Sequence, residues 1–342
     1  MHIEELPLHG GDLHWAAQQF GIARDDWLDV STGISPWRWP ITKLSSNALQ
    51  RLPYDHEPLL RAASHYYQVP LQSLLAIPGS QFAIDQIPRC VPLGTVAVPE
   101  LGYKAHESSW KHAGHELIYY KDLDCLQSLV YHHQLCYAVV INPNNPSGEY
   151  ASREFLHKLE SQLAKNAHNQ HILVIDEAFM DTENQPSAAA YLSSTANTLV
   201  LRSLGKFFGL AGIRLGFLIA QPKWLESIRA RGSMWQVSGP ALEIGCQALS
   251  DSLWIREQKK RIDNQSKKVS KTLTRLFPKE RHQSVGLFHS VMGNPTTLLN
   301  SFSQLAERGL LTRYIPHTPE QACLRFGLPG DDYDTFERKL QL

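Results

Sequence analysis

The chain has 342 residues, 43% of them hydrophobic, with 33 basic and 33 acidic side chains and a formal net charge of zero. This length predicts about two domains and a core large enough to need no disulfide or metal staple. The balanced charge excludes a mainly electrostatic nucleic-acid binder, and the aliphatic content excludes a disordered chain. The opening MHIEELPLHGG lacks the basic and apolar regions of a secretory signal. No apolar run nears the ~18 residues of a membrane span. Five cysteines with no C-x-x-C pair fit reduced thiols in the cytoplasm.

Residues 1–45 read as an N-terminal arm. Residues 46–250 read as a large domain in which short apolar runs alternate with amphipathic stretches. The runs are LLAIP (74–78), TVAVP (95–99), ELIYY (116–120), YAVVIN (137–142), HILVID (171–176), TLVLR (198–202) and LGFLIA (215–220). Most are continuously apolar, as expected of strands covered on both faces in a mainly parallel sheet. Helices are predicted near 81–90, 103–114 and 152–165, the last started by Ser152 with Glu154 close behind. The class is α/β. Residues 251–342 read as a smaller domain, with a basic helix near 253–276 and strands at VGLFHS (285–290), LLTRYI (310–315) and CLRFGL (323–328).

Four segments carry candidate chemistry. Ser203-Leu204-Gly205-Lys206 leaves the strand TLVLR, and Arg214 follows eight residues after the lysine. A lysine at a glycine-bearing strand exit can be partly desolvated and form a Schiff base. Ser203 and Arg214 could hold a phosphate beside it. Asp176 ends a buried strand, where open sheets bind ligands. A buried carboxylate there needs a partner, and a protonated pyridine nitrogen is one. Asn142-Pro143-Asn144-Asn145-Pro146-Ser147-Gly148 follows YAVVI; its prolines stiffen the backbone, and Asn145 could donate to a phenolic oxygen. Pro78-Gly79-Ser80-Gln81 precedes a helix and can offer N–H groups to an anion. Alone, each has a plainer reading: a surface lysine, a capping aspartate, a turn, a helix start.

In order along the chain, these residues resemble the fold type I, aspartate-aminotransferase-like enzymes that use pyridoxal phosphate. That resemblance makes Lys206 the Schiff-base lysine and Asp176 the partner of the ring nitrogen. Asn145 would bond the phenolic oxygen, while Gly79, Ser80, Gln81, Ser203 and Arg214 would surround the cofactor phosphate. Tyr103, in PELGYKAH, would stack on the ring. Four further segments, His9-Gly10-Gly11-Asp12, Ser31-Thr32-Gly33-Ile34-Ser35-Pro36, Pro78-Gly79-Ser80-Gln81 and Leu324-Arg325-Phe326-Gly327-Leu328-Pro329-Gly330, resemble the threonine-phosphate decarboxylase branch, neighbour to histidinol-phosphate aminotransferase. The branch implies conversion of L-threonine O-3-phosphate to (R)-1-amino-2-propanol O-2-phosphate and CO₂, in cobalamin biosynthesis. Such a substrate needs two anion holds beyond the cofactor's. Arg325 would take the carboxylate by a bidentate pair, with Arg313 and His9 on the phosphate. Gly10, Gly33 and Asn145 would lie against the substrate. The family's homodimer would let Tyr54 reach a neighbouring subunit's cofactor phosphate.

Departures also stand out. Phe179 occupies the place of a tyrosine in histidinol-phosphate aminotransferases, and Gly33 and Ser35 stand where many relatives carry asparagines. Two other classes stay open: an aminotransferase for a phosphorylated or aromatic amino acid, and a non-catalytic cofactor-holding protein. The sixteen histidines form no metal motif, G-x-G-x-x-G is absent after the first strand, and 259–275 reads as a solvated basic helix face.

Overall fold

The computed structural model describes residues 6–7, 9–41, 43–167, 171–192 and 197–341. Its strands are β1 (Leu28–Asp29), β2 (Leu74–Ile77), β3 (Thr95–Pro99), β4 (Glu116–Tyr120), β5 (Tyr137–Ile141), β6 (Ile172–Asp176), β7 (Thr198–Ser203), β8 (Gly216–Ile219), β9 (Arg281–Val285), β10 (Phe288–Gly293), β11 (Leu310–Leu311), β12 (Arg313–Pro316) and β13 (Ala322–Gly327). The chain forms two compact units. One comprises Trp39–Asn145 and Glu149–Ile255. The other comprises the described residues before Trp39, Pro146–Gly148 and those from Arg256 on.

The first unit holds one sheet in the order β2-β8-β7-β6-β5-β3-β4. Its seven strands are the seven apolar runs of the sequence. Pairing is parallel from β7 through to β4, and β8 is antiparallel to both its neighbours, β7 and β2. Every residue of β5 and β6 is buried, which is why their runs show no alternation. On one face Val96, Val98, Val139, Val174, Leu199 and Leu201 pack with Ala83, Ile84, Trp110 and Leu225 of covering helices. The helices Leu123–His132 and Arg153–Asn166 bring further buried leucines to the unit, and Ser152 caps the second by accepting from the Phe155 N–H at 3.2 Å. Gly239–Ser250 is a helix that the sequence reading missed. Ser238 caps it and Pro240 stands in its first turn, a start signal of the usual kind.

The second unit carries the antiparallel sheet β12-β13-β10-β9 and, from Arg256 on, most of the helix Ser252–Leu276. Two expectations are corrected here. Residues 285–290 are not one strand, because Gly286-Leu287 forms the turn between β9 and β10. The turn is disguised because Leu287 is buried and its apolar side chain continues the run. Likewise, 310–315 splits at Thr312: β11 pairs with β1, whereas β12 joins the antiparallel sheet. The segment before Trp39 is integral to this unit. Its β1 runs parallel to β11, and the Val30 carbonyl accepts the Gly327 N–H at 2.6 Å.

Candidate active site

Strands β2, β3, β5, β6 and β7 run in one direction, so their carboxyl ends share one edge of the sheet. The reversed strand β8 begins at that same edge. Thus Gly79 after β2, Tyr103 after β3, Asn145 after β5, Asp176 at the end of β6, Ser203 and Lys206 at β7, and Arg214 before β8 converge there. All of them, with Ser80, Gln81 and Phe179, line one cleft. All nine residues expected around the cofactor therefore meet in one place. Of the asparagines in the β5 loop, Asn145 is the one that lines it. Asn142 is spent on the Ala151 N–H (2.9 Å) and carbonyl (3.1 Å), and Asn144 donates to the Leu101 carbonyl at 2.8 Å.

Asp176 is 4% exposed. Its Oδ1 accepts the Ala178 N–H at 3.0 Å, and its Oδ2 lies 2.9 Å from Nε2 of His106, itself buried. The aspartate therefore caps the following turn and still faces the cleft. Lys206 Nζ stands 5.5 Å above the centre of the Phe179 ring, within cation–π range. Tyr103 Oη donates to Gln81 Oε1 at 3.1 Å, and its ring meets His106 edge-on. Burial raises the Tyr103 phenol above its ordinary value, reinforced by the Asp176 charge and opposed by Arg214. Gly79 has φ +76°, and a Cβ there would stand 2.6 Å from Arg214 Nη2. The missing side chain leaves a cradle in which the Arg214 guanidinium lies against the Gly79 backbone.

The remaining expected residues lie elsewhere. His9, Gly10 and Arg313 line a small cavity of the second unit. Gly10 packs on Ser31, where a Cβ would stand 2.4 Å from the Ser31 carbonyl oxygen. The Gly11 N–H donates to Ser31 Oγ at 2.7 Å. Gly33 is buried two residues after Ser31. Arg325 is 7% exposed and donates to the Ser31 carbonyl at 2.6 Å. Arg313 and Arg325 are registered opposite each other on β12 and β13. Burial, and then Arg313, pull the Arg325 guanidinium down to about 10, opposed by Cys323 and Asp29. Tyr54 is outside the Lys206 cleft. It is exposed beside Trp235 (ring centres 5.5 Å apart) and lines a separate cavity with Arg51 and Glu243.

Two groups escaped the sequence reading. His106 lies one helical turn beyond Tyr103, and only its buried partner reveals its place. Arg202 sits inside β7, 3% exposed, and pairs with Glu177 Oε2 at 2.8 Å and with Asp181. A charge within the apolar run TLVLR was the available signal, since a buried charge requires a partner. Among the described residues there is no cluster of potential metal ligands and no helix long and apolar enough to cross a membrane.

Comparison with known proteins decides the family. The model of aminotransferase class I and II matches residues 42–340. The chain belongs to this family. It is 35% identical over 327 residues to the threonine-phosphate decarboxylase of Pseudomonas aeruginosa, covering 95% of this chain and 93% of that one. It is 36% identical to histidinol-phosphate aminotransferase 1 of Legionella pneumophila (strain Paris), but over 114 residues, 33% of this chain and 30% of the relative. The fold matches the crystal structure of histidinol-phosphate aminotransferase from Sinorhizobium meliloti in complex with pyridoxal-5'-phosphate. There the TM-score is 0.83 at 18% identity, covering 99% and 95% of the two chains. For this class I and II family member, the expected α/β fold with a mainly parallel sheet holds.

Proposed function

We propose that the chain is a pyridoxal-phosphate-dependent decarboxylase that converts L-threonine O-3-phosphate to (R)-1-amino-2-propanol O-2-phosphate and CO₂. The observation that carries this reading is the nearly full-length similarity to a threonine-phosphate decarboxylase, beside a similarity to a histidinol-phosphate aminotransferase confined to a third of the chain. The cleft fits the cofactor. An amine and a buried carboxylate face one space, and the Gly79 cradle sets a guanidinium at its edge.

When bound, pyridoxal phosphate supplies a conjugated ring that accepts electrons from the substrate's Cα. Asp176, oriented by His106, keeps a proton on the ring nitrogen. Asn145 bonds the phenolic oxygen, and Tyr103 packs its ring on the cofactor. Ser80, Gln81, Ser203 and Arg214 hold the phosphate. Lys206 Nζ would hold the cofactor at its aldehyde carbon, and the same amine would carry a proton for the substrate's Cα. Arg325 pairs with the substrate carboxylate. Arg313 and His9 take the substrate phosphate, with Gly10 and Gly33 beside them. Two guanidiniums directly opposed across a pair of strands repel, so anionic groups of a substrate relieve a repulsion built into β12 and β13. The working form in this reading is a cytoplasmic homodimer, with Tyr54 directed at the neighbouring subunit.

The test is incubation of the cofactor-loaded protein with L-threonine phosphate and mass analysis of the products. The expected product is the amine lacking CO₂, formed without a keto acid. Amino transfer to 2-oxoglutarate with no CO₂ release would overturn the reading in favour of an aminotransferase. Arg313→Ala is expected to raise KM for the phosphorylated substrate about tenfold or more, as loss of a charged hydrogen bond does, and to spare turnover of plain threonine. Equal losses on both substrates would remove its assignment.

A further inference from the structure

We infer that Asp85 is a positioning residue that fixes the direction of a hydrogen-bond chain, making Tyr103 a donor to Gln81 and hence an acceptor toward the Lys206 cleft. The chain starts at one oxygen. Asp85 Oδ1 accepts from Ser109 Oγ at 2.7 Å and from Gln81 Nε2 at 2.8 Å. An ionised carboxylate can only accept, so Gln81 must turn its amide nitrogen to Asp85. Its carbonyl oxygen then faces the other way, and Tyr103 Oη donates to it at 3.1 Å. A phenol has one proton. With that proton committed to Gln81, the hydroxyl offers the cleft lone pairs alone.

Helix geometry supplies the parts. Gln81 and Asp85 are four apart on the helix Ser80–Gln86 and so share a face. Tyr103 directly precedes the helix Lys104–His112, which carries Ser109. Asp85 therefore ties together the two helices, whose starts carry Gln81 and follow Tyr103, without lining the cleft itself. The consequence is chemical. Tyr103 neither donates to an anion in the cleft nor serves as a general acid; it contributes its ring face and a lone pair. Its meaning for catalysis rests on the cofactor reading above, but the bond direction does not.

The charged and titratable groups around Tyr103 are Asp176, Arg214, Asp85 and His106, with Lys206 lining the same cleft. The test is a ¹³C NMR titration of the Tyr103 phenol carbon in the full-length protein, assigned with Tyr103→Phe, after incubation with pyridoxal phosphate. Asp85→Asn and Asp85→Ala remove the same charge, but the asparagine keeps an acceptor for Gln81. Alanine favours the helix, so the fold is retained. In Asp85→Ala, Gln81 is free to turn its NH₂ toward the phenol oxygen and favour the phenolate. The Tyr103 titration is expected to fall about one unit further in Asp85→Ala than in Asp85→Asn, and this difference is expected to vanish when Gln81→Leu is added. Equal shifts in the two single variants, or a difference that survives Gln81→Leu, would overturn the inference. Failure of the unsubstituted protein to gain visible absorbance with pyridoxal phosphate would overturn the cofactor reading instead. The Tyr103 comparison stays readable in that case.

Discussion

Arg202 shows what one buried charge does near this cleft. It is 3% exposed and faces two carboxylates, Glu177 and Asp181, while the Tyr66 hydroxyl donates to Asp181 at 2.9 Å. Glu177 in turn accepts the Ala188 N–H at 2.6 Å and pairs with Ser187. The network thus fastens the loop after β6 to the end of β7. It stands one residue beyond Asp176 on one strand and one before Ser203 on the other. Substituting Arg202→Met would leave two buried carboxylates without their cation. The expected loss is on the order of 3–5 kcal/mol in denaturant unfolding, the cost of breaking a buried pair from one side. A loss below about 1 kcal/mol, the range of an exposed pair, would contradict this. At this scale the sequence is legible where chemistry is local. Lys206, Asp176 and Asn145 each announce themselves at a strand exit. His106 does not, because its partner lies 70 residues away, and Asp85 does not, because only one of its two partners, Gln81, is a near neighbour while Ser109 lies 24 residues away.

The strand β8 explains at the level of elements why Arg214 lies at the cleft. Because β8 runs against β7 and β2, the residue entering it lies at the same edge as the residues leaving the other strands. Arg214 adopts φ +54° there, and Gly79 opposes it with φ +76° and ψ +157°. That backbone region is essentially confined to glycine. Gly79→Ala is therefore expected to displace the guanidinium and weaken pyridoxal phosphate binding about tenfold, close to 1.4 kcal/mol. Equilibrium titration of the cofactor's absorbance measures it, and unchanged affinity would contradict the cradle. The strands of this sheet were readable because burial on both faces leaves uninterrupted apolar runs. The reversal of β8 was not readable, since a fully buried strand looks the same in either direction. The turn at Gly286-Leu287 was hidden for a related reason: a buried leucine at a turn mimics a strand residue.

Over the whole molecule, one unit gathers an amine, a carboxylate, an asparagine and an arginine at a single sheet edge, and the other carries two opposed arginines. The family model, over residues 42–340, spans nearly all of the first unit and, of the second, Pro146–Gly148 and the part from Arg256 on. The sequence order of the candidate residues made the fold recognisable, whereas which bond breaks at Cα depends on torsions that residue types do not encode. The account stands on Lys206 as the attachment point of the cofactor, and the mass of the intact protein tests that most directly. The protein is incubated with pyridoxal phosphate, reduced with borohydride, weighed and digested. One reduced cofactor per chain is expected, carried by the peptide containing Lys206 and lost in Lys206→Ala. A stable adduct on any other lysine, or an unmodified chain after reduction, would contradict the account.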